Sequence, residues 1–268
     1  MSLHTTTRRD PVETVFVPET APAAPTQWML TKVELRKMTD TRSGRWVLAV
    51  IVLAMIAMVC LIVFAGADGD REVPELFLAS QLGLSVLLPV IGILSVTAEW
   101  SQRSGLSTFA LVPKRHRVVF AKFAAGVIIA VAGIALSAVV TYGGQALAIA
   151  TDNAEGGWGI PADLVATRLL DCVIAVASGI AFGMLLSSPM LSVLTFYGLP
   201  LVLGILGGTV AATADTMEWV NPGQAMSPLS ERGGISGTEW ARVLCNTAVF
   251  GVALFVAGLY RTSRREVT

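Results

Sequence analysis

The chain has 268 residues, of which 54% are hydrophobic and 14% are charged, and its formal net charge is zero. Soluble domains carry roughly 25% charged residues, so the composition argues against an ordinary soluble domain. The 19 basic and 19 acidic residues cancel. The net charge therefore indicates no particular partner, and we expect no nucleic acid to bind.

Charged residues are absent from long continuous segments of the chain. Five segments contain no Asp, Glu, Lys or Arg: 46–67, 76–98, 123–151, 172–214 and 243–260. A helix needs about 20 apolar residues to cross the hydrocarbon core of a membrane. The segment 172–214 is long enough for two helices and is interrupted by Ser-Ser-Pro at 187–189. The pattern predicts an all-α integral membrane protein with six spans, at about 46–66, 77–98, 120–149, 167–187, 190–212 and 241–260.

The N-terminal region divides into two parts. Residues 1–26 are rich in Thr and Pro and lack the apolar core of a signal peptide, so we expect a disordered cytoplasmic tail ahead of a six-span domain over 27–265. Residues 27–45 contain no proline and suit a helix, with Trp28, Leu35 and Met38 on one face. Basic residues beside a tryptophan are typical of a helix on the membrane surface. An ordinary basic flank of the first span is the alternative.

A basic stretch separates the second and third spans. Residues 99–122, which we call the basic stretch, contain five Lys or Arg residues and one acid, Glu99. We expect the whole stretch to lie in water. Leu106, Phe109 and Ala110 are spaced as on one side of a short helix that stops at Pro113. The stretch therefore either docks a partner or is a solvated loop that only fixes the topology.

Small residues mark two spans for close packing. Gly179-x-x-x-Gly183 lies in the fourth span and Gly204-x-x-x-Gly208 in the fifth, and such pairs let helix backbones approach each other in lipid. The contact is either within one subunit or with a second copy. The three cysteines, Cys60, Cys172 and Cys245, are expected to be buried hydrophobic residues without a disulfide or metal.

The orientation follows from the basic residues. The N-terminal region, the basic stretch and the C-terminal tail hold 15 of the 19 Lys and Arg residues, whereas the other loops hold 12 of the 19 acids. Loops rich in Lys and Arg face the cytoplasm. The count predicts a multi-pass protein of the cell membrane with both termini and the basic stretch in the cytoplasm.

Several kinds of chemistry are not expected of this chain. We predict no Asp, Glu, Lys, Arg or His inside a span, although intramembrane enzymes and proton-coupled carriers need such groups. The sequence has no His-Glu-x-x-His and no Gly-x-x-x-x-Gly-Lys-Ser/Thr phosphate loop. We therefore expect no catalytic residues, no metal and no cofactor in this chain. If it moves a molecule uphill, another protein must supply the energy at a cytoplasmic face.

Three segments resemble the type-2 ABC exporter permease family. Between the second and third spans, Glu99 is followed by Gly105, Ser107-Thr108, Leu111, Pro113, Arg115 and Lys122. Glu-Leu-Arg-Lys at 34–37 with Thr-Arg-Ser-Gly-Arg-Trp at 41–46 is similar to the surface helix that leads into the family's first span. Gly-Leu-Tyr-Arg at 258–261 is similar to its tail. The resemblance covers about 28–265. One departure is that the Gly–Thr pair, adjacent in many members, is spread over 104–108.

The resemblance implies a partner and a mechanism. Such permeases pair with a separate cytoplasmic ATP-binding subunit, which holds ATP and Mg, usually as two permeases and two ATPases. A homodimer is expected, with a heterodimer as the alternative. The basic stretch would form a short coupling helix that docks on the ATPase, through Glu99, Arg103, Gly105, Leu106, Thr108, Phe109, Pro113 and Arg115. Residues 213–240 would form short re-entrant helices, although a plain loop suits them equally.

The substrate is the least determined feature. The polar residues of the spans that would line a path are Thr141, Tyr142, Gln145, Thr195, Tyr197 and Asn246. Each is also a candidate for a hydrogen bond between helices. A path without charge favours lipophilic, amphipathic or peptide cargo over small ions. The alternatives to an exporter are a membrane anchor or assembly protein that transports nothing and, less favoured, an intramembrane enzyme.

Overall fold

The chain forms a bundle of helices. A computed structural model describes residues 25–66, 71–101, 115–154, 157–210, 212 and 214–264, but not the side chains of 99–101, 115 and 263–264. The helices within this part are α1 Gln27–Asp40, α2 Arg42–Ala65, α3 Val73–Ser101, α4 Arg115–Ala150, α5 Ala162–Leu186, α6 Pro189–Thr209, α7 Ala214–Val220, α8 Pro222–Ala225, α9 Gly237–Asn246 and α10 Leu254–Arg264. A 3₁₀ turn covers Ser227–Ser230, and a π-helical segment, Thr247–Ala253, joins α9 to α10.

Six of these helical segments are long and apolar enough to cross a membrane, counting the described residues only. They are α2 to α6 and the continuous segment from α9 to α10, and each overlaps one predicted span. The prediction of an all-helical protein with six candidate spans is confirmed. Several of the helices begin earlier than the charge-free blocks do, because their first turns carry polar residues that the blocks exclude.

Local sequence determines where the helices begin. The hydroxyls of Thr26 and Thr41 accept hydrogen bonds from backbone N–H groups in the first turns of α1 and α2, which satisfies donors that have no partner inside a helix. Between α5 and α6, Ser187 adopts a left-handed conformation, Ser188 caps α6, and Pro189 is its first residue. A proline there loses no helical hydrogen bond, so the chain reverses in two residues.

Helix α3 lies at the centre of the bundle and contacts α2, α4, α5 and α6. Its closest neighbour is α5. A Cβ atom placed on Gly179 would lie 2.4 Å from the carbonyl oxygen of Pro89, and one on Gly183 would lie 3.1 Å from that of Ile93. The fourth-span glycine pair therefore packs inside the subunit, against the backbone of α3.

The two ends of the bundle differ in composition. At one end Gln27 donates to the carbonyl of Arg117, and Arg261 donates to that of Leu185. This end, which we call the basic end, holds α1, the end of α3, the start of α4 and the C-terminal turn of α10. At the opposite end lie described residues of the connections from α2 to α3, from α4 to α5 and from α6 to α9, and there Arg232 forms ion pairs with Glu72 and Glu75.

The segment before the last span, residues 214–236, folds back along α6, and we call it the folded-back segment. Met217 of α7 packs against Gly207, Asn221 lies beside Gly204, and Gly223 reaches Pro200. Pro200 is nine residues before the end of α6 at Thr209, so the segment returns by about 13 Å along that helix at 1.5 Å per residue. Short helices are present in the described part of residues 213–240, and that they are re-entrant stays a prediction.

The structure corrects two predictions about charged residues. The basic stretch does not lie wholly in water, because α4 begins at Arg115 and Lys122 is buried beneath α1. A span also carries charge in its interior: Arg168, only 3% exposed, lies two turns inside α5 and pairs with Asp171. Helix α5 begins at Ala162 rather than near 167, which places both charges inside it.

The prediction of buried cysteines is only partly right. Cys172 is buried and Cys60 is half-buried, but Cys245 is exposed on the last span. Cys245 sits on α9, a helix with few buried residues, so the neighbouring helices leave its side chain uncovered.

Candidate functional site: the basic end and an internal cavity

Most of the predicted coupling residues lie outside the described residues. Glu99 falls in the last turn of α3 and Arg115 is the first residue of α4, and the positions of their side chains are not described. The others, Arg103, Gly105, Leu106, Thr108, Phe109 and Pro113, fall in 102–114. The structure describes the end of α3 and the start of α4, which flank this segment.

A buried ion pair joins the last residue of the basic stretch to α1. Lys122 Nζ of α4 is 2.5 Å from Glu34 Oε2 of α1, and their side chains are only 3% and 5% exposed. Lys122 also donates to the carbonyl of Ser95 on α3 at 2.8 Å. The second carboxylate oxygen of Glu34 accepts from Lys37 at 2.7 Å. Charged groups are buried in this way only when they are paired and hydrogen-bonded, so the pair fixes α1, α3 and α4 together.

Helix α1 meets the bundle through a face that overlaps the predicted apolar face without coinciding with it. Thr31, Glu34 and Met38 are buried, whereas Trp28 is 59% exposed. Leu35 is half-buried. The buried positions are spaced three and four apart and so share one side of the helix. Glu34 is a polar residue on a packing face, which apolar periodicity alone does not detect.

The predicted pathway residues do not form one group. Thr141 is buried, with its hydroxyl 3.4 Å from that of Ser80, and Gln145 is buried one turn further along α4. Tyr142 is exposed beside Trp158, and Thr195 is half-buried on α6. Only two of the set, Tyr197 and Asn246, line the same cavity.

That cavity, which we call the internal cavity, has a volume of about 380 Å³. It lies between α3, α5, α6, the folded-back segment and the last span. Three phenylalanines form much of its apolar wall: Phe182, Phe196 and Phe250. Its polar side chains are Ser85, Asp171, Ser178, Tyr197 and Asn246. Asp171 and Ser178 were not among the predicted residues.

The polar groups of the internal cavity are connected to the rest of the bundle. Asp171 Oδ2 is 3.2 Å from a guanidinium nitrogen of Arg168, which also donates to Ser230. The hydroxyl of Tyr197 donates to the carbonyl of Val86, joining α6 to α3. The Oδ1 atom of Asn246 is buried and has no hydrogen-bond partner within the described part of the chain. Asn246 is followed at once by the π-helical segment, a local geometry often found at functional sites.

Comparison with known proteins gives no family assignment: no protein-family model matches the chain, and no curated protein matches it.

Proposed function

We propose that the chain is the membrane permease subunit of an ABC-type exporter, which forms the path across the membrane while a separate cytoplasmic ATPase supplies the energy. The observation that carries the proposal is the construction of the basic end. Two helices that flank residues 102–114, α3 and α4, are fixed to α1 through Lys122 and Glu34. A docking segment transmits force only if it is attached to rigid elements, and this end supplies them.

The orientation follows from the same end. Loops rich in Lys and Arg face the cytoplasm, and both described termini lie at the basic end. This arrangement would place α1 at the cytoplasmic membrane surface and the folded-back segment in the outer half of the cell membrane. Cysteines introduced at Lys32 and Glu231, both exposed, test it in a background without native cysteines. An impermeant maleimide added to intact cells should label the variant at 231 and spare the one at 32; the reverse would overturn the orientation.

The docking experiment separates coupling from topology. If residues 102–114 form the predicted short helix, Leu106 and Phe109 would share one side of it, and burying two such side chains is worth on the order of 3–6 kcal/mol before association costs. We expect Leu106→Asp with Phe109→Asp to insert normally but to lose the co-purifying ATPase or its stimulated ATP hydrolysis. Lys114→Ala is the control and should have little effect, because a charge at the rim of an interface contributes little in water.

The competing interpretation makes the opposite forecast. If the basic stretch only fixes topology, export should survive the double substitution and fail when Arg103, Lys114, Arg115 and Arg117 are replaced together by alanine. Full export by the Leu106/Phe109 variant, or a chain that purifies from its own membranes without any ATP-binding subunit, would remove the exporter proposal and favour an anchor or assembly protein.

A second permease copy is part of the proposal. Helices α2 and α6 present large apolar side chains outward, among them Trp46, Leu53, Met190 and Leu201. Part of this surface would contact lipid and part the partner copy. Leu201→Cys, in a background without native cysteines, should form a disulfide-linked dimer in membranes treated with a mild oxidant. Native mass spectrometry showing one permease per complex would contradict it.

A further inference from the structure

We propose that the internal cavity binds a lipophilic organic cation whose N–H groups donate to Asp171 and Asn246. Binding depends only on the residues that line this cavity. Only the statement that the bound cation is cargo rests on the proposed export function.

The first support is size and wall chemistry. Pockets for small organic molecules measure roughly 300–1,000 Å³ and are mainly apolar with a few polar groups, and the internal cavity, at about 380 Å³, is at the lower end of that range. Phe182 and Phe196 meet edge to face with ring centroids 5.5 Å apart. Aromatic walls of this kind hold flat hydrophobic bodies and attract cations to their faces.

The second support is an excess of hydrogen-bond acceptors. Pro89 and Pro200 lie inside α3 and α6 and both line the cavity, as do Ser85 and Phe196, the residues four positions before them. A proline has no N–H to donate to that earlier carbonyl, so each helix loses one internal hydrogen bond at the cavity wall. Asn246 Oδ1 adds a buried acceptor that has no donor among the described residues.

The third support is the sign of the charge. Among the described residues that line the cavity, one is charged, namely Asp171. Arg168 contacts one of its oxygens and extends away towards Ser230, which leaves the second oxygen for a ligand. A cavity with acceptors, a carboxylate and aromatic walls favours a molecule with a positive charge, N–H donors and an apolar body.

The test uses ethidium, a planar aromatic cation with amino groups, and the full chain in nanodiscs of phosphatidylcholine. Fluorescence anisotropy, corrected with empty nanodiscs, should show saturable binding. Asp171→Asn should raise the Kd about tenfold, because a charged acceptor becomes neutral at constant shape. Asn246→Leu should raise it about threefold. Asp163→Asn is the matched control: it makes the same change on the same helix at an exposed position outside the cavity, and the Kd should not move.

A competitor and a second variant keep the test decisive. Tetraphenylphosphonium is a lipophilic cation without N–H groups, and its Kd, measured by displacement of ethidium, should be at least tenfold higher than the Kd of ethidium. If Asp171→Asn does not fold because Arg168 loses its partner, Asn246→Leu, which leaves that ion pair intact, decides alone. The proposal is overturned by non-saturable binding, by an unchanged Kd in Asn246→Leu, or by an equal loss in Asp163→Asn. Because no ATPase is present, these results are independent of the docking experiment.

Discussion

Helices α5 and α6 are joined by two residues, yet α5 buries many of its residues in the bundle and α6 buries almost none. Both are apolar and of span length, with 25 and 21 residues. Helix α5 buries eleven residues inside the subunit, whereas α6, every residue of which is described, buries only Ser192. Several of its large side chains point away from the bundle, with Met190 77% and Leu201 65% exposed.

The difference lies in what faces the glycines, not in how many there are. Each helix has a Gly-x-x-x-Gly pair. On α5, Gly179 and Gly183 meet the backbone of α3. On α6, Gly204 meets the side chain of Asn221, and Gly208 has nothing within 4 Å. Apolar composition thus indicates that a helix belongs in a membrane, while close packing depends on a second helix that presents its own backbone.

The largest effect should come from Gly179→Ala. The added methyl group would lie 2.4 Å from the Pro89 carbonyl oxygen, so α3 and α5 must separate. We expect the free energy of unfolding to fall by roughly 1–3 kcal/mol, as for other overpacked cores, in SDS-induced unfolding of the purified protein. Gly198→Ala on α6 is the control, because nothing lies within 4 Å of its added methyl group. Equal losses in the two variants would contradict the comparison.

A smaller effect is expected from Ser192→Ala. Ser192 is the buried residue of α6, and its hydroxyl lies 3.3 Å from the carbonyl of Phe182 on α5 and 2.7 Å from that of Ser188. Hydrogen bonds inside membrane proteins average about 0.6 kcal/mol, and the loss should be of that order in the same assay. Thr209→Ala removes a hydroxyl that bonds only within α6 and should cost less. If it costs as much, the Ser192 bond does not hold the two helices together.

The smallest effect should come from Gly208→Ala. The added methyl group meets nothing within 4 Å in one subunit, so the unfolding free energy should change by less than about 0.5 kcal/mol. Gly208→Leu, combined with Leu201→Cys, tests through the yield of the cross-linked dimer whether a second copy contacts this part of α6. An unchanged yield would mean that lipid covers this part of α6, and a loss would mean that Gly208 touches the second copy.

The sequence predicts the spans well because burial in lipid excludes charge along a whole helix. Lys and Arg counts also predict which ends of the helices share a side, and the structure places those ends together. The charged contacts inside the bundle could not be predicted in this way. Lys122 directly precedes a charge-free block and Arg168 lies just before another, so both resemble flanking charges that stay in water.

The sequence indicates single residues of the internal cavity but not that they lie together. Tyr197 and Asn246 stand out as polar residues in apolar segments, and Pro89 and Pro200 as breaks in helical hydrogen bonding. Their meeting depends on the way the segment after α6 folds back, which brings Pro222 and Gly223 to the same wall. Sequence spacing within one helix carries no information about that approach, so Asp171, at the edge of a charge-free block, was missed.

The Glu34–Lys122 pair also has a consequence for how the protein is made. Its two residues are separated by 88 positions, which a ribosome adding about 5–20 residues per second covers in roughly 4–18 seconds. During that interval α1 has left the ribosome ahead of its partner, and α2 and α3 are synthesised before Lys122 exists. Helix α1 can therefore take its final place only after Lys122 has been synthesised, and until then the carboxylate of Glu34 has Lys37 but not Lys122 as a partner.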